Sequence, residues 1–263
     1  MSERITSYAA IGDSFTEGLM DPAPTGGPGI FRGWADRLAE QLVTSPIGSS
    51  DLLYANLAVR GRLLGHIVDE QVPRVLELKP DFVTIAGGGN DCLRPNTDIE
   101  AVASRFEHAV VALRSAGIRV MIANGFETRS ATPLIKSMRS KVAIYNCHLW
   151  TIAQRHGCAM LDLWGLHGLY APPMWAPDRI HLSSLGHELV ADQALATLEQ
   201  APLPSSGFDV PERPNRPLRR AVAEEATWVR QHLAPWVGRR LRGTSSGDAV
   251  RPKAPELTRV RQD

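Results

Sequence analysis

Five short, almost wholly apolar runs alternate with segments of helical apolar spacing, and this alternation constrains the fold more than any other feature. The runs are "ITSYAAI", "LLYANLAV", "DFVTIAGGG", "IRVMIAN" and "CAMLDL". Between them lie "GWADRLAEQLV", with Trp34, Leu38 and Leu42 at helical spacing, "LLGHIVDEQVPRVLEL", "DIEAVASRFEHAVVALRSAG" and residues 135–156. Strand–helix alternation of this kind favours a parallel sheet with helices on both faces. Strands that are apolar at nearly every position fit burial on both sides. Pro73 is expected to kink or break its helix. Gly117 is expected to cap the end of another, and Ser183 or Ser184 to start the last, "SSLGHELVADQALATLEQ".

Charge divides the chain. Residues 211–263 hold 12 Arg and Lys against 6 Asp and Glu, whereas residues 1–210 hold 17 against 22. The seam, "APLPSSGFDVPERPNRP", has the Pro and Ser content of a linker. The expected organisation is a catalytic domain over 1–203, a linker over 204–217, a basic helical appendage over 218–242 and a disordered tail over 243–263. The net charge of +1 points to no nucleic-acid partner. The basic appendage leaves weak contact with an anionic membrane or a protein open. Three cysteines with no CxxC pair argue against a disulfide framework or a zinc knuckle. "MSERITSYAAIGDS" lacks the apolar core of a signal peptide, so a cytoplasmic location is expected.

In a sheet of this type ligands bind beyond the carboxyl ends of the strands, and the reactive residues follow the strands. Ser14 follows the first run, Asn56 and Gly61 belong to the second and its exit, and Asn90 and Asp91 follow the third. Asp178 and His181 precede the last helix. A serine hydroxyl is a weak nucleophile until a base takes its proton. His181 is the candidate base, and in "DRIH" the Asp178 carboxylate can reach that histidine's other ring nitrogen. The charge of an oxyanion needs preorganised donors. The Ser14 and Gly61 backbone N–H groups and the Asn90 amide are the candidates.

The blocks "GDSFTEG", "NLAVRG", "GGGND" and "DRIHLSSLGH" occur in that order. In this the chain resembles the GDSL-type esterases and lipases of the SGNH hydrolase superfamily over residues 5 to about 200. Phe15 stands where the family's name has leucine. The resemblance implies a three-layer α/β/α flavodoxin-like fold with a central, mainly parallel five-stranded sheet. It implies ester hydrolysis by Ser14, His181 and Asp178 without a metal or cofactor, with Ser14, Gly61 and Asn90 forming the oxyanion hole. The substrates implied are small-molecule, lipid or carbohydrate esters.

Other residues have plainer readings. Asp13, Asn56 and Asp91 are expected to support the site's loops. Arg62 beside Gly61 and Trp175 before the last block are candidate substrate contacts. His148, His156, His167 and His187 show no zinc-ligand spacing. The rival to an enzyme is a non-catalytic binding or scaffolding protein that keeps the fold.

Overall fold

The computed structural model describes residues 4–24, 29–128, 133–202, 227–228, 230 and 247–261. In chain order these form β1 (Ser7–Ile11), α1 (Ser14–Glu17), α2 (Trp34–Thr44), β2 (Leu53–Asn56) and α3 (Leu64–His66). A π-helical turn, Ile67–Gln71, joins α3 to α4 (Val72–Leu78). There follow β3 (Phe82–Ile85), α5 (Gly89–Cys92), α6 (Ile99–Ser115), β4 (Arg119–Ala123) and α7 (Pro133–Lys136). The rest are α8 (Arg139–His156), β5 (Ala159–Leu161), α9 (Ser184–Glu199) and β6 (Ala254–Arg259).

The sheet order is β5-β4-β3-β1-β2-β6. The first five strands are parallel, as expected from their apolar runs. The pleat sends alternate residues to opposite faces. Ala9 and Ile11 of β1 and Val83 and Ile85 of β3 meet Phe106 and Leu113 of α6 and Leu149 of α8. Tyr8, Ala10, Phe82 and Met121 meet Trp34, Leu38 and Leu42 of α2 and Val190 and Ala194 of α9. Each such fully buried large side chain contributes about 1.5–3 kcal/mol, and together they make the three layers.

Local stops behave as the residues dictate. Gly117 follows α6 at φ 81°, where its N–H donates to the Arg114 carbonyl and that of Ile118 to Leu113. The Ser183 hydroxyl caps α9 by accepting from the Gly186 N–H. Pro73 stands in the first turn of α4, and the helix absorbs it by widening: the Val72 N–H reaches back to Ile67. The helix expected over 135–156 is divided into α7 and α8.

One expectation fails. Residues 254–259, placed in a disordered tail, form a sixth strand, antiparallel to β2. Leu53 pairs with Arg259 and Tyr54 with Thr258. The strand is an exposed edge, so its own composition signals little burial. What orders it is the free hydrogen-bonding edge of β2 and Lys253. The Lys253 ammonium donates to the Glu17 carbonyl at 2.6 Å, the Phe31 carbonyl at 2.9 Å and Asp36 Oδ2 at 2.6 Å. The linker expected over 204–217 lies outside the described residues. So does most of the appendage over 218–242, except Thr227, Trp228 and Arg230. Among the described residues no helix is long and apolar enough to cross a membrane.

Candidate active site

The chain enters the sheet at β1, adds β2 on one side and then crosses to β3 on the other. Such a switch opens a crevice at the carboxyl ends of the two diverging strands. Ser14 leaves β1 there as the first residue of α1, with Asp13 as its cap accepting from the Phe15 N–H at 3.1 Å. The Phe15 ring stacks on Trp34 and meets Phe126 edge-on, which pins the short helix. At its other end Gly18 lies so close to Gly33 that a Cβ would stand 2.5 Å from the Gly33 Cα.

His181 Nε2 is 3.0 Å from Ser14 Oγ, and His181 Nδ1 is 2.7 Å from Asp178 Oδ2. The other carboxylate oxygen, Oδ1, accepts from the Ile180 and His181 N–H groups, both at 3.0 Å. Burial raises the Asp178 carboxyl pKa, but the hydrogen bond and charge of His181 and these two N–H groups outweigh it, leaving the carboxyl below the usual range. Asp178 is therefore ionised at neutral pH and holds the imidazole with Nε2 toward the hydroxyl.

Gly61 stands at φ 72° in a tight turn closed by the Arg62 N–H and the Val59 carbonyl. Glycine suits that conformation. The turn is tied to α1 by the buried Glu17, whose carboxylate accepts from the Arg60 N–H at 2.7 Å and pairs with its guanidinium. Asn90, in α5, donates from Nδ2 to Asp13 Oδ2 at 3.1 Å and to the Arg62 carbonyl at 3.0 Å. Burial pushes the Asp13 carboxyl up to about 6, against the Phe15 N–H and His181, with Asp91 nearby adding to the rise.

The structure thus brings Ser14, Gly61, Asn90, Asp178 and His181 to one cavity of about 370 Å³. Its inner wall is apolar, with Phe126, Met138, Val142 and Tyr145 among its residues. Asn56 is fully buried and donates to the Thr16 carbonyl at 3.0 Å while accepting from the Ala58 N–H at 3.1 Å. Asp91 accepts from the Leu64 N–H at 2.9 Å. Both join neighbouring loops, as expected. Two expected contacts are not brought to the cavity. The Arg62 guanidinium pairs with Glu70 at 3.1 Å, and it is the backbone carbonyl of Arg62 that meets Asn90. Trp175 stands one layer back, its Nε1 donating to the Leu169 carbonyl and its ring against Phe126. His187 does line the cavity. Burial lowers its pKa to about 3, so it is neutral, and its Nδ1 accepts from the Trp34 N–H.

Sequence reasoning missed Gln71. Its side-chain amide accepts from the Gly12 N–H at 2.8 Å and donates to the Gly12 carbonyl at 2.9 Å, fixing the peptide two residues before Ser14. The available signal was a polar residue on the buried stripe Leu64, Ile67, Gln71, Val75. Among the described residues no group of three or more His, Cys, Asp or Glu is placed to hold a metal ion.

The geometry at the strand ends fits an SGNH-type hydrolase, and the chain belongs to the GDSL-like lipase/acylhydrolase family, which it matches over residues 10–189. No curated protein matches it. Solved structures share the fold at low identity. TesA is 19% identical with a TM-score of 0.60, covering 74% of this chain and 98% of its own. LAE5, described as an α/β hydrolase from the metagenome of Lake Arreo, Spain, is 22% identical at a TM-score of 0.62, covering 78% and 99%. A variant of Axe2, an acetyl xylan esterase from Geobacillus stearothermophilus, is 19% identical at 0.62, covering 77% and 99%.

Proposed function

We propose that the chain hydrolyses carboxylic esters through an acyl-enzyme on Ser14. The observation that carries this is the alignment of Ser14 Oγ, His181 and Asp178 at 3.0 and 2.7 Å on the wall of an apolar cavity. His181 Nε2 takes the Ser14 proton as Oγ attacks the acyl carbonyl. The C–O bond to the leaving alcohol then breaks, and His181 returns the proton to that oxygen. Water, deprotonated by His181, attacks the acyl-enzyme and frees the acid. Asp178 holds the imidazole and stabilises it while it is charged.

The oxyanion receives the Ser14 and Gly61 N–H groups and the Asn90 amide. An oxyanion competes with Asn90's present acceptors, one of them a neutral carbonyl, and charge-assisted hydrogen bonds are roughly twice as strong as neutral ones. The apolar wall favours an alkyl acyl group, because each buried methylene is worth about 0.8 kcal/mol.

The test is a panel of p-nitrophenyl esters of rising acyl length. Butyrate is expected to exceed acetate in kcat/KM, and Ser14→Ala is expected to lose at least about 10³-fold in kcat. An unchanged rate in that variant overturns the mechanism. Activity is expected to survive EDTA; loss reversed by added metal overturns the proposal that Ser14, His181 and Asp178 suffice.

A further inference from the structure

We propose that Trp228 is a positioning residue for the relay. Its indole holds the Asp178–His181 turn in the conformation that aims the imidazole at Ser14. The inference rests on the reading of Ser14, His181 and Asp178 as the hydrolytic relay.

The turn has an unusual burden. No strand carries it, and its ends are joined by a bridge between Trp175 and Leu182. Inside it Arg179 stands at φ 57°, in the left-handed region that side chains avoid. That conformation folds the chain back so that the Asp178 carboxylate meets both the N–H and the ring of His181. The relay geometry and an unfavourable backbone conformation are therefore one feature; Asp178 Oδ1 holds it from within, at the Ile180 and His181 N–H groups, and Trp228 holds it from outside.

Trp228 grips both sides of this residue. Its Nε1 donates to the Asp178 carbonyl at 3.2 Å, the oxygen of the peptide that leads into Arg179. The Arg179 guanidinium lies over the indole, 5.0 Å from the ring centroid. Trp228 is only 6% exposed, and a buried indole N–H needs an acceptor. Release of that carbonyl leaves the Asp178–Arg179 peptide held by the Arg179 N–H on the Ala176 carbonyl at 2.8 Å, a weaker hold against rotation and the relaxation of Arg179 to negative φ. The rotation carries away the carboxylate that orients His181. A residue of the expected appendage thereby acts on the relay through Asp178 and Arg179 without touching substrate.

Trp228→Ala and Trp228→Phe separate the two contacts, since Phe keeps a ring under Arg179 but has no N–H to donate. Rates are to be expressed per active serine titrated with a fluorophosphonate, and folding followed by thermal melting. We expect kcat per titrated site to fall roughly 10- to 100-fold in the alanine variant, with the phenylalanine variant between it and wild type. KM should stay within about twofold. The far-downfield proton resonance of the His181 Nδ1–H hydrogen bond should broaden or vanish in Trp228→Ala. An alanine variant that keeps both this resonance and the wild-type rate per site overturns the inference. So does a fall in titratable sites alone, with the rate per remaining site unchanged. The resonance needs no turnover. A wild-type protein without esterase activity, or an active Ser14→Ala, refutes the proposed function separately.

Discussion

The two flanks of the cavity are built by different means. On one flank Ser14, Gly61 and Asn90 leave the ends of β1, β2 and β3, neighbours in the sheet. Their loops are cross-tied by Glu17 to Arg60, Asn56 to Thr16 and Asn90 to Asp13. On the other flank Asp178 and His181 sit in a long loop between β5 and α9, shaped by one left-handed residue and by Asp178's own backbone contacts. A sheet positions groups for nothing extra, since its ladder exists to bury the core. A loop must find its order locally or borrow it from elsewhere in the chain. The oxyanion flank should therefore tolerate loss of a single tie better than the relay flank does.

Substitutions sharpen that contrast. The largest effect belongs to Asp178→Asn, which would present a donor to His181 Nδ1 and select the wrong tautomer. A loss of about 10³–10⁴-fold in kcat is expected, and steady-state kinetics showing less than tenfold would break the contrast. Asn90→Ala removes one of the three proposed oxyanion donors and should cost about 10²–10³ in kcat, or about 2.7–4 kcal/mol, with the fold intact by melting. A loss equal to that of Asp178→Asn would mean the flanks are equally fragile.

Lys253→Met should act on stability first. Burial raises the Asp36 carboxyl pKa, chiefly against the charge and hydrogen bond of Lys253, so removing the ammonium leaves a largely buried acid poorly paired. Urea unfolding should show a loss of about 2 kcal/mol, below the full value of a sealed pair because both side chains keep some solvent. An effect of similar size, confined to a pH window, is expected from Asp13. Its pKa is 3.8 in the unfolded chain and about 6 in the fold, so its contribution to stability is complete below pH 3.8 and is lost as pH rises through 6. Comparison with Asp13→Asn between pH 4 and 7 should isolate a slope totalling roughly 1–3 kcal/mol. A flat difference would show that burial does not govern this group.

The convergence of Ser14, Asp178 and His181 was legible in the sequence, as were the five parallel strands, because each leaves a local trace. Doubly buried strands are apolar throughout, and the site's residue types sit directly after them. β6 left no such trace. Its order comes from pairing with β2 some 200 residues earlier in the chain and from Lys253 reaching Asp36, neither visible in "APELTRV". Arg62 and Trp175 were legible as neighbours of the site but not in direction. Which way a side chain turns depends on partners such as Glu70 and Leu169 that adjacency does not reveal. Trp228 drew no reading of its own from the sequence, because its contact with Asp178 spans 50 residues.

The widened turn at Ile67–Gln71 has one more consequence. Each helical residue turns the chain by about 100°, so the extra residue in that turn sets the angle at which Gln71 faces Gly12. The exposed Asp69 and Glu70 can be exchanged with little harm, while Gln71, the buried Ile67 and the number of residues between them cannot change. Deleting one residue between 67 and 71 would keep a helix and rotate the glutamine off the peptide it clasps. The stretch works as a dial set to one phase, and insertions or deletions there should silence the enzyme where exchanges at Asp69 or Glu70 would not.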